Sequence, residues 1–213
     1  MRVVVIDPPA PIVTWEEADQ HLRLDGDDEQ REMVERLVAA ATGHIDGPNG
    51  WLGRALGPQT LEARMCGFSD YMCLPYRPII DILSVHYLSI DGVPTPLDAD
   101  DYELFDGILM PSWGKSWPFA FAYGGRSDTV RIRYRAGYAT TPIADPPQPA
   151  VPEPIKQAIL LMVGDMYRFT ETVGDNLASI PVSATAEKLL FPFRAGALLE
   201  ELVGQQCFGG RQV

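Results

Sequence analysis

The residue types that could do chemistry are few in this chain, and the densest group is acidic. Asp98, Asp100 and Asp101 lie close together in the sequence, and grouped carboxylates are the ligands that hard cations such as Ca²⁺ prefer. The group lacks the ordered Asp/Asn spacing and the distant Glu of an EF-hand loop, which favours a solvated turn. A hydrolase or metal-dependent enzyme that uses these carboxylates stays as one alternative.

A second pair of acids, Glu16 and Glu17, could serve in general acid–base catalysis. The segment from Thr14 to Glu17 also fits a capping box, in which the Thr hydroxyl and the Glu carboxylate satisfy backbone amides at the start of a helix. The sequence has no Gly-rich phosphate loop followed by Lys, no G-x-S-x-G elbow and no H-E-x-x-H pair. We therefore expect no catalytic residue and no cofactor.

The cysteines and histidines do not form a recognisable metal site. Three cysteines without paired spacing indicate a reducing compartment rather than a disulfide scaffold. They also lack the short spacings and accompanying His pair of a zinc knuckle, so we expect no bound metal. These residues are Cys66, Cys73 and Cys207.

One local basic feature stands out. Arg131, Arg133 and Arg135 alternate with Ile132 and Tyr134, which places the three guanidinium groups on one face of a strand. Such a row could contact an acidic partner or the phosphates of passing DNA. The other interpretation, which we favour, is the solvated face of a half-buried strand.

An aromatic segment lies shortly before that strand. Residues 113–123 read WGKSWPFAFAY, which is unusually apolar for a region rich in loop signals. These side chains could seal the open end of a sheet, or they could form a protein contact, where aromatic residues concentrate. The residues in question are Trp113, Trp117, Phe119, Phe121 and Tyr123.

Composition excludes several classes of protein. With 46% hydrophobic and 22% charged residues, the chain of 213 residues is globular rather than disordered. A net charge of −12 argues against a protein that grips nucleic acid through clustered Lys and Arg. No apolar run is long enough to span a membrane, and the apolar run near the N-terminus is too short for a secretory signal.

Helical periodicity occurs at both ends of the chain. The pattern over residues 14–47 predicts two helices, the first of which ends at about Leu24. Residues 25–28 break the helix and provide the N-cap of the second, which has an apolar stripe along one side. A long helix is predicted from Pro154 to about Thr172, followed by shorter ones over 183–190 and 197–203.

Strand periodicity occupies the middle of the chain. Alternating or β-branched runs, separated by Asp-Gly turn signals, predict strands that form a small antiparallel sheet or sandwich. The predicted strands cover residues 60–65, 79–90, 101–105, 108–110 and 130–134.

The fold class that follows is α+β, a discontinuous helical bundle with an inserted small antiparallel β-sheet or sandwich. Neither the N-terminal nor the C-terminal helical segment has another helical segment beside it in the sequence, so we expect the two to pack against each other. The predicted boundaries are 13–56 and 150–205 for the helical core, 57–141 for the β insertion, 142–154 for a Pro-rich linker and 206–213 for a flexible tail.

The order of several segments resembles the head–tail connector, or adaptor, proteins of long-tailed bacteriophages and gene transfer agents, over about residues 13–194. Residues 17–25 (EADQHLRLD) match the family's opening and 37–42 (LVAAAT) its second helix. Further matches are 53–56 (GRAL) with 59–60 (QT), 74–79 (LPYRPI) with 84–85 (SV), 101–104 (DYEL), 151–161 (VPEPIKQAILL) and 186–194 (AEKLLFPFR).

The resemblance implies a virion protein without catalytic activity, made in the cytoplasm of a host bacterium. About a dozen copies would form a ring beneath the portal protein, receive a tail-side stopper or tail terminator on the opposite face, and continue the channel for double-stranded DNA. The resemblance also implies that the protein contacts no membrane and that it does not bind the passing DNA in a sequence-specific way. A different virion component, such as a minor tail or head-decoration protein that binds through the β part, stays as the alternative.

The resemblance also indicates which residues would contact the portal. The family commonly closes with a Leu-Leu-x-Pro-Tyr-Arg element, and in this chain Phe193 stands in place of the Tyr. The same residues could instead cap the helical core. The expected portal contact comprises Leu189, Leu190, Phe191, Pro192, Phe193 and Arg194.

Overall fold

The computed structural model describes residues 1–9, 11–120, 126–141, 148–168 and 184–195. The described chain divides into two compact units. A β unit is formed by Met1–Pro8 and Gln59–Gly137, and a helical unit is formed by Pro9–Pro58 and Tyr138–Arg194. Each unit is therefore built from segments that are distant in the sequence.

The β unit contains eight strands in its described part, arranged in two antiparallel sheets. Five strands follow the order β1-β2-β8-β4-β5, and three follow the order β3-β7-β6. The strands are β1 (Arg2–Asp7), β2 (Gln59–Met65), β3 (Met72–Cys73), β4 (Ile79–Leu88), β5 (Pro94–Pro96), β6 (Tyr102–Phe105), β7 (Ile108–Pro111) and β8 (Val130–Ala136).

The centre of the five-stranded sheet is β8, which is paired with β2 on one side and with β4 on the other. Its side chains alternate strictly between buried and exposed, and Tyr134 is fully buried. The phenol of Tyr134 donates a hydrogen bond to the carbonyl oxygen of Pro75 at 3.1 Å. This hydrogen bond satisfies the phenolic hydroxyl, which is the only polar group of the buried Tyr134 side chain.

The predicted hairpin at Asp106-Gly107 is confirmed. β6 and β7 pair across it, and both turn residues have positive φ, 46° at Asp106 and 70° at Gly107. This left-handed conformation is the one that a tight two-residue hairpin requires, and Asp-Gly adopts it at low cost.

The first strand was not predicted from the sequence. β1 is an edge strand that pairs antiparallel with β2, from Arg2 opposite Arg64 to Asp7 opposite Thr60. Its apolar run is short and has no clear period, so only the pairing partner, more than 50 residues away in the chain, defines it as a strand.

The helical unit contains four α-helices and one small hairpin in its described part. Two-residue strands β9 (Thr140–Thr141) and β10 (Gln148–Pro149) pair with each other, so β10 lies inside the segment predicted as an extended linker. The helices are α1 (Trp15–Leu22), α2 (Arg31–Ile45), α3 (Glu153–Arg168) and α4 (Ala184–Leu190).

The predicted capping box begins α1. Thr14 accepts a hydrogen bond from the amide of Glu17 at 3.3 Å, and the Glu17 carboxylate accepts one from the amide of Thr14 at 2.9 Å. The same carboxylate forms an ion pair with Lys156 on α3 at 3.1 Å. Glu17 therefore both caps α1 and ties it to α3, which accounts for its carboxylate without catalysis.

The turn between α1 and α2 differs from the prediction. α1 ends at Leu22 rather than about Leu24, because Arg23 adopts a left-handed conformation with φ of 60°. Asp27 caps a single turn of 3-10 helix, residues 28–30, and α2 begins only at Arg31. The acids at 27–29 therefore lie ahead of α2.

The core of the helical unit combines residues from both ends of the chain. α3 places its apolar stripe against those of α1, α2 and α4, as the periodicity predicted. Pro154 lies in the first turn of α3, as expected for a residue without an amide hydrogen. The predicted helix over 197–203 and the tail lie outside the described residues.

The fold class predicted from the sequence is confirmed: the protein is α+β, with a helical bundle made from the two ends of the chain and an antiparallel β part between them. None of the helices among the described residues combines the length and apolar character needed to cross a membrane.

Candidate functional site

The arginine row lies on the exposed face of β8, as the alternation predicted. In the sheet, Arg131 stands opposite Arg64 and His86, and Arg133 stands opposite Glu62. The guanidinium groups therefore belong to a continuous polar face that extends over β2, β8 and β4. The side chains of Arg131 and Arg133 are about half exposed, at 44% and 52%.

Glu62 organises the middle of this face. Its carboxylate accepts hydrogen bonds from Nε of Arg64 through Oε1 and from Nε of Arg133 through Oε2, both at 2.8 Å. The side chain of Glu62 is only 4% exposed. Burial raises the pKa of Glu62, but the hydrogen bonds from Arg133 and Arg64 outweigh that effect and hold it below the ordinary value. Glu62 is therefore a buried carboxylate that stays charged at neutral pH.

A second carboxylate repeats this arrangement at one end of β8. Asp128 accepts from Nε of Arg126 at 3.0 Å and from Nη2 of Arg131 at 2.7 Å. These hydrogen bonds, first from Arg126 and then from Arg131, hold the pKa of Asp128 far below its ordinary value. Each of the two groups, which we call arginine triads, contains one carboxylate between two guanidinium groups.

The third arginine of the row is paired differently. Arg135 forms a bidentate ion pair with Asp81 of β4, one of whose contacts joins Nε and Oδ1 at 2.8 Å. The hydrogen bond from Arg135 lowers the pKa of Asp81. One carboxylate and one guanidinium cancel, so the excess positive charge of the row lies at Arg131 and Arg133.

A recess of about 270 Å³ opens on the same face, between β8 and the β4–β5 hairpin. Arg131 and Arg133 line it together with Glu62, Asp128 and Thr129. Thr129 is 1% exposed, and its hydroxyl oxygen has no hydrogen-bond partner in the part of the chain that the structure describes. An unpartnered buried hydroxyl is costly, so Thr129 is a polar group that the fold of the β unit leaves unsatisfied.

Some side chains of the aromatic segment pack within the β unit, and others are exposed to solvent. The Trp117 ring stacks on Phe68, with ring centroids 4.7 Å apart, and therefore covers apolar surface within the β unit. Trp113 is 99% exposed at a turn that follows β7, and Phe119 is exposed as well. Phe121 and Tyr123 lie outside the described residues.

The C-terminal motif also presents two sides. Leu190 is buried in the helical core, and Leu189 and Phe193 are partly buried against it. Phe191 is 69% exposed on the single 3-10 turn that follows α4, and Pro192 is exposed beside it.

Arg194 ends the motif next to the core. Its guanidinium lies 4.8 Å from the ring centroid of Trp51, which is a cation–π contact. The motif therefore caps the helical core with part of its residues and offers the others to solvent.

The acidic group at 98–101 has structural partners. Asp98 accepts from the amide of Asp100 at 3.1 Å and so caps a short 3-10 turn, while Asp101 forms an ion pair with Lys115 at 2.8 Å. Within the described ranges, no group of three or more His, Cys, Asp or Glu side chains is arranged to hold a metal ion.

The pairing of carboxylates with the arginine row was not predicted from the sequence. Glu62 alternates with Leu61 and Ala63 in β2, which indicates an exposed position rather than a buried one. Only the register of β2 against β8 shows that Glu62 lies opposite Arg133. The sequence contains no signal for that register, because it is set by tertiary pairing.

No protein-family model matches the sequence, and no curated protein matches it. Solved structures do share the fold. A chain in the neck of an empty gene transfer agent (GTA) particle, computed with C6 symmetry, superimposes with a TM-score of 0.63 and 19% identity, over 91% of this chain and 95% of that one.

Two further structures agree. A chain in the neck of a native GTA particle, computed with C12 symmetry, has a TM-score of 0.60, 18% identity and the same coverage, 91% and 95%. A chain in the virion of a native GTA particle has a TM-score of 0.59 and 20% identity, over 89% of this chain and 95% of that one. The resemblance expected from the sequence motifs is thereby confirmed at the level of the fold.

Proposed function

We propose that the chain is a structural protein of the neck of a phage-like particle, an adaptor whose copies form a ring beneath the portal and continue the DNA channel towards a tail-side stopper or terminator. The observation that supports this most strongly is the shared fold over nearly the whole length of chains from GTA necks. Both units of the chain lie within that likeness, since it covers 91% of the residues.

The geometry of the C-terminal motif suits a docking element. Leu190 anchors α4 in the core, so the 3-10 turn that follows is held in place while Phe191 and Pro192 remain exposed. An exposed aromatic on an ordered support loses little conformational entropy on binding, and such residues dominate protein interfaces. We propose Phe191 and Pro192 as the portal contact, with Leu189, Leu190 and Phe193 as its support.

The charge of the chain suits a conduit. A net charge of −12 repels phosphates on average, so DNA would pass a ring of such chains without being held. No step of this function requires a reaction, a cofactor or a metal.

The portal contact is tested by Phe191→Ala in particles, with Phe105→Ala as the matched control, because both phenylalanines are 69% exposed. We expect Phe191→Ala to weaken the contact by about thirtyfold, since an interface aromatic of this kind contributes roughly 2 kcal/mol, and so to lower the number of copies per particle. Phe105→Ala should leave incorporation unchanged. Equal incorporation of the two variants would contradict the contact.

The alternative is another virion component that binds through the β part, and the exposure of Trp113, at 99%, favours it. It would place Trp113 rather than Phe191 at the interface with the rest of the particle. Loss of incorporation in Trp113→Ala together with normal incorporation of Phe191→Ala would support this alternative.

A further inference from the structure

The two arginine triads give the polar face of the β unit a positive excess in an otherwise acidic protein. Each triad has two guanidinium groups and one carboxylate, so each has a formal charge of about +1 at neutral pH. The carboxylates, Glu62 and Asp128, also hold the guanidinium groups in place through hydrogen bonds of 2.7–3.1 Å.

These guanidinium groups keep binding capacity. A guanidinium has five N–H donors, and the carboxylate of its triad takes only one or two of them. Arg131 and Arg133 line the recess, and their side chains are about half exposed. A planar, oriented donor set of this kind is suited to a carboxylate from outside the unit.

A complementary surface lies on the helical unit. The turn between α1 and α2, residues 25–29 (DGDDE), exposes the side chains of Asp25, Asp28 and Glu29. The described residues place no basic group within salt-bridge distance of these three acids, whereas Glu32 and Glu35 on α2 pair with Arg36 and Arg31. We call residues 25–29 the acidic corner.

We propose that the arginine triads of one copy bind the acidic corner of a second copy of this chain. One surface meets a different surface of the next copy, which is a heterologous contact, and such contacts close into rings when the rotation between copies allows it. The choice of a second copy rests on the proposed ring function and on the charge complementarity of the two surfaces.

Duplex DNA fits the arginine triads less well. Phosphates approaching Arg131 and Arg133 would also approach the carboxylates of Asp128 and Glu62, which lie between the guanidinium groups. The chain as a whole is strongly acidic, with a net charge of −12. A few carboxylates on a narrow turn can contact the arginines while avoiding the carboxylates of Glu62 and Asp128. A continuous row of phosphates cannot avoid them as easily.

The contact is tested by zero-length cross-linking of the full chain. Arg131→Lys keeps the positive charge and supplies the amine that a water-soluble carbodiimide couples to a carboxylate in contact with it. Arg135→Lys is the control, because Arg135 is neutralised by Asp81. The reaction is done on a mixture of ¹⁴N and ¹⁵N chains at low ionic strength and, separately, on purified particles that contain the variant.

We expect a mixed-isotope peptide that joins position 131 to residues 25–29 of another copy, and none from position 135. Absence of that peptide from both samples, or its replacement by one to a different surface, would overturn the inference. A chain that is present at the neck but lacks this cross-link leaves the proposed function standing. Particles that lack the chain overturn the function, and the cross-link in solution then decides the inference alone.

A second measurement uses variants on the acidic corner, where the side chains of Asp28 and Glu29 are exposed. Asp28→Asn with Glu29→Gln should weaken self-association at low ionic strength by about tenfold, measured by sedimentation velocity. Glu32→Gln with Glu35→Gln removes the same charge from α2 and should have a smaller effect. Equal effects of the two pairs, or duplex DNA binding that Arg131→Gln abolishes, would contradict the contact.

Discussion

At the scale of single residues, the polar face of the β unit depends on Glu62. This carboxylate is almost wholly buried and is held between Arg64 and Arg133 at 2.8 Å from each. A buried charge is tolerated only when it is paired and hydrogen-bonded, and here both carboxylate oxygens have a guanidinium partner. Glu62 thus positions two arginines of the surface that we propose as a contact between copies.

Glu62→Gln should destabilise the protein by about 1–2 kcal/mol at pH 7, because it removes the negative charge and replaces one of the two acceptor oxygens with an NH₂ group, so that one partly solvated arginine loses its hydrogen bond. Since the pKa of Glu62 is lowered in the folded protein, its contribution is complete above the ordinary value of 4.5 and is lost as the pH falls through the folded value. The difference in unfolding free energy between wild type and variant should therefore shrink below that pH.

The measurement is urea denaturation at several pH values between 7 and the acid limit of the folded state. Glu103→Gln is the control, because Glu103 is exposed on β6 and should change the stability by less than about 0.5 kcal/mol. A Glu62→Gln variant as stable as wild type at pH 7 would show that the carboxylate is not required by the sheet.

Thr14 makes a second prediction at this scale. Thr14→Ala removes the hydroxyl that accepts from the amide of Glu17, so α1 should lose about 1 kcal/mol. Thr14→Ser keeps the hydroxyl and should retain most of the stability, as measured by thermal or urea denaturation. Equal stability of the Ala and Ser variants would contradict the role of the cap.

At the scale of elements, the sequence predicted what local patterns can encode. The capping box of α1, the apolar stripes of α2 and α3, and the Asp106-Gly107 hairpin all follow from interactions within a few residues. Long-range pairing decided the rest. β1 requires β2 as its partner, and the burial of Glu62 requires the register between β2 and β8.

The C-terminal motif illustrates the same limit. Its residues were predicted as one contact, but the structure buries Leu190 and exposes Phe191, a distinction that depends on where α4 packs. Leu190→Ala should therefore cost about 2–4 kcal/mol of folding free energy through the cavity it leaves, whereas Phe191→Ala should cost less than about 0.5 kcal/mol. Urea denaturation checks both values, and similar losses for the two variants would contradict this division.

At the scale of the whole molecule, the acidic charge predicts how the protein interacts with duplex DNA. The chain shares its fold with chains of GTA necks but has a net charge of −12, so we expect no measurable affinity for duplex DNA at physiological ionic strength. Fluorescence anisotropy with a labelled duplex tests this, with the salt concentration varied. Binding in the micromolar range at about 150 mM salt would contradict a channel through which DNA passes without being held.

The most direct test of the central claim is quantitative mass spectrometry of purified particles from the source, with this chain measured against the portal and major capsid proteins. An adaptor in a single ring predicts a copy number equal to that of the portal, about a dozen per particle. Particles made without the gene should then be heads that lose DNA and have no tails. Absence of the chain from particles, or hundreds of copies in each, would contradict a role in the neck.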